Sequence, residues 1–324
     1  DAIQIGKYTY HYKQDYNENN ALIDVSTDTF HVELTDVNST DAVTEAPCSS
    51  INGKLVTSMA SIFFRSKSKS IDLSGFDTSN TTNMSYMFLY SQATKLDLSG
   101  FDTSNVINMS QMFANSKADE IIGLNNFNTT KVTNMMGMFY ENQAASLDLS
   151  SFDTSNVSGD GMYAMFAFSK AKEIRFSNKF VTSKITNMNN MFAYSKITKI
   201  LGLNKFNTSK VTDMHSMFYN SKVTSLDLSS FNTSNVTNMN RMFADSVATE
   251  IKGLNKFNTS KVTDMQYMFD DSKVTSLDLS SFDTSKVTTM EHMFSWSQAA
   301  TLDLSSFDTS KVTNTNRMFA EAKA

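Results

Sequence analysis

From residue 54 onward two hydrophobic rhythms alternate along the chain. In Leu96-Asp97-Leu98, and again at 147–149, 226–228, 277–279 and 302–304, apolar residues flank a polar one, the period-two pattern of a short strand with two side chains turned inward. In Val106, Met109, Met112 and Phe113 the spacing becomes i, i+3, i+6 and i+7, which places all four on one face of a helix. The Asp/Asn-Thr-Ser segment between the two supplies side-chain oxygens where the helix would begin, as N-capping requires. The pattern therefore predicts one short strand and one short helix per unit.

The unit recurs. Phe76, Phe101, Phe127, Phe152, Phe180, Phe206, Phe231, Phe257, Phe282 and Phe307 stand at equivalent places, 25 or 26 residues apart except for one step of 28. They mark ten full copies, and Met59 and Phe63 mark a leading half copy. A single copy offers too few apolar side chains to offset the conformational entropy of ordering its backbone. Each copy must bury its faces against its neighbours, so residues 54–324 are expected to form one elongated α/β solenoid with parallel strands. Three copies vary the strand: Ile121-Ile122-Gly123-Leu124, Ile200-Leu201-Gly202-Leu203 and Ile251-Lys252-Gly253-Leu254 carry an extra residue and a glycine, which suggests a bulge or tight bend. The 28-residue step contains Ser158-Gly159-Asp160-Gly161, an irregular junction.

Residues 1–53 do not follow the repeat. Stretches 3–12, 21–25 and 29–34 alternate apolar with polar residues and read as strands separated by turns such as 16–20. They suit a β-rich N-terminal cap covering a solenoid end that would otherwise expose strand edges. Residues 36–53 read as a polar loop holding the only proline, Pro47.

Composition narrows the function. A net charge of −5 with 19% charged residues offers no field that would draw nucleic acid or anionic lipid. The lone Cys48 excludes an internal disulfide and a cysteine-based zinc site. No run of 18 apolar residues occurs, so no membrane-spanning helix is expected. His11, His31, His215 and His292 occupy unrelated positions and form no pattern of metal ligands or of a Ser/His/Asp site. The reading is of a protein without enzymatic activity, cofactor or metal. Asp1 begins the chain without Met, and Met318-Phe319 closes the last copy without a polar cap, the appearance of a fragment of a longer chain.

The copies resemble the BspA-like leucine-rich repeats of bacterial surface proteins, as in Leu277 to Met290 followed by Met293-Phe294. The likeness covers residues 54–324. It implies a leucine-rich-repeat solenoid on a Gram-positive or mollicute cell surface, secreted, with adhesion to host glycoprotein, matrix protein, glycan or another cell as its role. A structural spacer that presents another domain from the cell wall is the alternative. Where copies of that family commonly carry Cys, this chain has Ser91, Ser116, Asn142 and Ser169 among others. A monomer is expected.

Three sets of residues are candidates for recognition. The residue between the two inward leucines should point outward, giving an acidic row of Asp72, Asp97, Asp148, Asp227, Asp278 and Asp303, interrupted by Gly123, Gly202 and Gly253. Such a row supplies one carboxylate per turn, whereas calcium needs six to eight converging oxygens. Lys170, Lys172, Arg175, Lys179 and Lys184 form a basic spot at the irregular junction, suited to an acidic glycan. Two residues after the Met-Phe pair stand Tyr90, Phe168, Tyr194 and Trp296, and exposed aromatics commonly mark sugar or protein contacts. The Met and Phe set itself is expected to be core. A threonine row, including Thr103, Thr233 and Thr309, is expected to cap helices.

Overall fold

The computed structural model describes residues 2–16 and 22–324. The expected turn at 16–20 lies, from residue 17, outside the described residues, and so does Ala21. The cap is a five-stranded sheet in the order β1-β2-β3-β5-β4, formed by β1 (Ile3–Ile5), β2 (Tyr8–Tyr16), β3 (Leu22–Leu34), β4 (Ser50–Ile51) and β5 (Lys54–Ser58). Neighbours are antiparallel except β3 and β5, which run parallel. Tyr8, Tyr10, Phe30, Val32 and Val56 fill its core. The two buried phenols find backbone partners: Tyr8 donates to the Glu45 carbonyl at 2.7 Å, and Tyr10 accepts from the Cys48 N–H at 2.8 Å. The cap merges into the repeats where Met59 N–H donates to Asn83 and Ser61 N–H to Ser85.

The repeats form a β-solenoid with a turn of about 26 residues, and the expected helix of each turn is absent. The only helical elements among the described residues are three 3-10 turns, Leu124–Asn126, Leu203–Lys205 and Leu254–Lys256. The reason is visible in residues 84–91. Backbone N–H groups of Met84, Tyr86, Phe88 and Tyr90 donate to the carbonyls of Asn108, Ser110, Met112 and Ala114 in the next copy, at 2.9–3.2 Å. Those of Met87, Leu89 and Ser91 fold back three residues, onto Met84, Tyr86 and Phe88. The segment is thus a run of β-turns. Tyr86 and Tyr90 sit at the third position of two of them with φ 59° and 57°, the left-handed conformation a type II turn demands. A helix would use every N–H internally; here alternate groups join copy to copy. Val, Met, Met and Phe still point inward, because a turn brings its first and fourth residues together as a helix does.

This hydrogen-bonded seam runs the length of the array and continues through the junction, where Met135, Gly137, Phe139 and Glu141 donate to Gly161, Tyr163, Met165 and Ala167. Inside it, eleven phenylalanines from Phe63 to Phe319 stack with centroids 5.5–6.0 Å apart and planes within 13°. The Met pairs around them are fully buried.

The strand side is less continuous than the sequence suggests. Strands pair only two at a time, all parallel: β6 (Lys95–Asp97) with β7 (Glu120–Ile122), β8 (Glu173–Arg175) with β9 (Lys199–Leu201), and β10 (Ser225–Asp227) with β11 (Glu250–Lys252). Residues 147–149, 277–279 and 302–304 do not form strands. Gly123, Gly202 and Gly253, with φ 95–98°, start the 3-10 turns. At Gly123 a Cβ would lie 2.6 Å from the Ser99 nitrogen, so a side chain is excluded by space as well as by conformation.

The threonine row is also reassigned. Thr233 is 1% exposed; its hydroxyl donates to the Asn258 carbonyl at 3.0 Å and accepts the Asn258 N–H at 2.8 Å. Thr78, Thr103, Thr129, Thr182, Thr208, Thr259 and Thr284 donate to the following copy in the same way. These residues staple copies together rather than capping helices. The adjoining Asp or Asn makes a local turn, as when Asp102 Oδ1 accepts both the N–H and the hydroxyl of Ser104.

Candidate functional site

The acidic row is engaged in its own turns. Each of Asp72, Asp97, Asp148, Asp227, Asp278 and Asp303 accepts the N–H of the serine two residues on, at 2.9–3.1 Å. The serine hydroxyl adds a second bond at Asp72, Asp97, Asp227 and Asp278. Those hydroxyl bonds, then the backbone ones, hold the carboxyls of these four below their usual range. The partners in the row are not the glycines: Asp97 lies opposite Ile122 and Asp227 opposite Lys252. Among the described residues no group of three or more His, Cys, Asp or Glu side chains is placed to hold a metal ion.

The basic residues are all exposed but spread around one turn. Arg175, at the end of β8, lines a cavity of about 400 Å³ with Ser150, Asn178, Asn204 and Lys205. Lys170, Lys172, Lys179 and Lys184 do not line it.

The aromatic row behaves differently. Tyr90, Phe168, Tyr194 and Trp296 are 46, 39, 36 and 54% exposed, each in a left-handed backbone conformation that aims the side chain off the seam. Phe168 and Tyr194, in successive copies, stack at 4.7 Å with planes 10° apart. Tyr90 lies three copies before Phe168 and faces the Arg65 guanidinium at 5.5 Å from its ring centre; Trp296 is four copies beyond Tyr194.

Two tyrosines that the sequence reading missed extend the Phe168–Tyr194 pair. Tyr140 meets Phe168 edge to face at 5.5 Å, and Tyr219 meets Tyr194 at 4.8 Å. Both directly follow a Met-Phe pair. In the flanking copies that place is held by buried Ala114, Ala167, Ala193 and Ala244, small residues over which a neighbouring ring can lie. That alternation of Tyr with Ala was the available signal. A hydrogen bond with Tyr194, then burial, holds the Tyr219 phenol well above its ordinary value. Burial first, then the Glu141 charge, raises that of Tyr140. Both remain neutral hydrogen-bonding groups at physiological pH.

Beside this run lies a cavity of about 380 Å³ walled by Tyr140, Tyr163 and Phe168 and floored by Gly137, Ala164 and Ala167. Gly137 and Ala164 stand two residues before their Phe, at φ 59° and 50°. The equivalent residues in other copies include Tyr86, Gln111, Asn190, Arg241, Tyr267 and His292. The cavity opens where two consecutive copies omit that side chain.

A larger cavity, about 550 Å³, lies between the cap and the first copies and contains His11, His31, Glu33 and Ser58. Its polar groups satisfy one another. His11 Nε2 pairs with Glu33 at 3.0 Å, and His31 Nδ1 pairs with the Ser58 hydroxyl at 3.0 Å. Glu33 is committed to His11, and among the described residues no hydrogen bond joins it to His31.

Residues 32–122, 116–197, 160–251 and 246–324 each match the family model described as "Mycoplasma protein of unknown function, DUF285". No curated protein and no solved structure matches the chain. The four matches together run from within β3 to the last residue and follow the repeating turns throughout, so the chain belongs to the DUF285 family.

Proposed function

We propose that this protein is a non-enzymatic recognition solenoid, an adhesin displayed on the cell surface that binds a host glycoprotein, matrix protein or glycan. The observation that carries the reading is the surface run Tyr140, Phe168, Tyr194 and Tyr219, its inner pair exposed and its outer pair half-buried, with the cavity beside it. A stacked array is stabilised by its inward residues, and its regular copies have Asn, Asp or Glu at the position of Phe168 and Tyr194. Four clustered rings in one part of the surface contribute little to that stack and have the amphipathic character of contact residues. The likeness to BspA-like repeats supports the same role and the secreted, surface location.

The test is a binding array of glycans and matrix proteins probed with the purified chain and with Phe168→Asn/Tyr194→Asn. Asparagine already occupies this left-handed position at Asn115 and Asn220, so the double variant should fold normally. Saturable binding that the double variant loses is the expected result. A spacer would bind nothing on the array, and that result would overturn the proposal.

A further inference from the structure

Resting on the recognition role above, we infer that the slot floored by Gly137 and Ala164 is a subsite for one uncharged pyranose, the terminal ring of a neutral glycan. Three features point to that ligand class. The slot's 380 Å³ falls within the roughly 300–1,000 Å³ span of small-ligand sites. Tyr140, Tyr163 and Phe168 offer the apolar surface against which the C–H face of a sugar ring packs. Around them the Gln111 amide and the Tyr140 and Tyr163 hydroxyls line the same slot, with no hydrogen bond to these side chains among the described residues. They are both donors and acceptors, the combination that matches sugar hydroxyls.

The lining also excludes the competing ligands. Gln111, Met136, Gly137, Tyr140, Tyr163, Ala164, Ala167, Phe168 and Asn190 include no charged side chain, so a sialic acid or sulfated sugar would leave its charge without a partner in the slot. A proline-rich peptide, the other common guest of tyrosine-lined grooves, advances about 3.1 Å per residue and needs a channel open at both ends. Gln111 and Asn190, which occupy the floor's own row in the copies on either side, line this slot at its two ends along the solenoid axis. Three inter-copy steps of about 4.8 Å separate their backbones, roughly 14 Å. That length accommodates a ring entering from outside, not a chain passing through.

The full chain should be tested against glycans ending in neutral hexoses, the same glycans capped with sialic acid or sulfate, matrix proteins and a proline-rich peptide. Two variants accompany it. Ala164→Gln refills the slot with the residue that Gln111 places at φ 50° in an equivalent turn, and Tyr163→Ala removes a wall; melting curves verify folding. Neutral hexose-terminated glycans should bind, with both variants weakened by about tenfold or more. Binding only to charged glycans or the peptide, or neutral-glycan binding that Ala164→Gln leaves intact, would overturn the subsite while the recognition role stood. Absence of saturable binding to every ligand on the panel would overturn both.

Discussion

Thr233 offers the sharpest test of how copies are joined. Replacing it with Val preserves shape but deletes a hydroxyl that donates to and accepts from the Asn258 peptide in the next copy. Each lost hydrogen bond is worth about 1 kcal/mol net. Because Asn258 is exposed, water can satisfy part of its peptide group, and Thr233→Val should cost about 2–3 kcal/mol. Thr233→Ser keeps both bonds and loses one methyl, about 1 kcal/mol. The decisive control is Thr309→Val. Asp308-Thr309-Ser310 repeats the local sequence, but in the 324-residue chain Thr309 is exposed and, among the described residues, its hydroxyl makes no inter-copy hydrogen bond, so in that chain its replacement should change stability by less than about 0.5 kcal/mol. Urea unfolding followed by far-UV circular dichroism and by Trp296, the only tryptophan, measures all three. With an m value near 3 kcal/mol/M, the Thr233→Val midpoint should fall by about 0.7–1 M. Equal losses at positions 233 and 309 would show that these threonines act locally, as caps, and would refute the inter-copy staple.

Other outcomes follow from the same geometry. Ser61 holds φ 59°, so Ser61→Gly should gain about 0.5–1 kcal/mol in chemical denaturation, the relief of left-handed strain less the entropy of glycine. Phe192→Ala, in the middle of the ring stack and fully buried, should cost about 3–5 kcal/mol, whereas Phe319→Ala, 48% exposed, should cost under about 1.5 kcal/mol by the same assay. Burial raises the carboxyls of Asp245 and Asp270 above 3.8, followed by the Asp271 charge at Asp245 and the Asp245 charge at Asp270. Their charged forms oppose folding at neutral pH, and that penalty is relieved as pH falls from the raised folded values toward 3.8. Asp245→Asn/Asp270→Asn should therefore raise the melting temperature at pH 7 and lose the advantage near pH 4. The serine-bonded aspartates act in the opposite sense, since stability from their lowered values is lost as pH drops below 3.8.

The amino-acid sequence determined the period and the inward set, because a repeated Leu, Phe, Val and Met pattern can be buried only by stacking. It also placed Phe168 and Tyr194 in one row of equivalent repeat positions, while their exposure came from the structure. It could not distinguish a helix from successive β-turns: both bring residues i and i+3 to one side, so Val106, Met109, Met112 and Phe113 suit either. Tertiary structure decided between them through hydrogen bonding, since alternate N–H groups along the seam reach the next copy and are no longer available to a helix. The same stacking decided what the threonines do, because the partner of Thr233 lies 25 residues away and no local pattern reveals it. It also made the slot: Gly137 and Ala164 are unremarkable in sequence, and only their alignment in adjacent copies, between Tyr140 and Tyr163, creates a cavity.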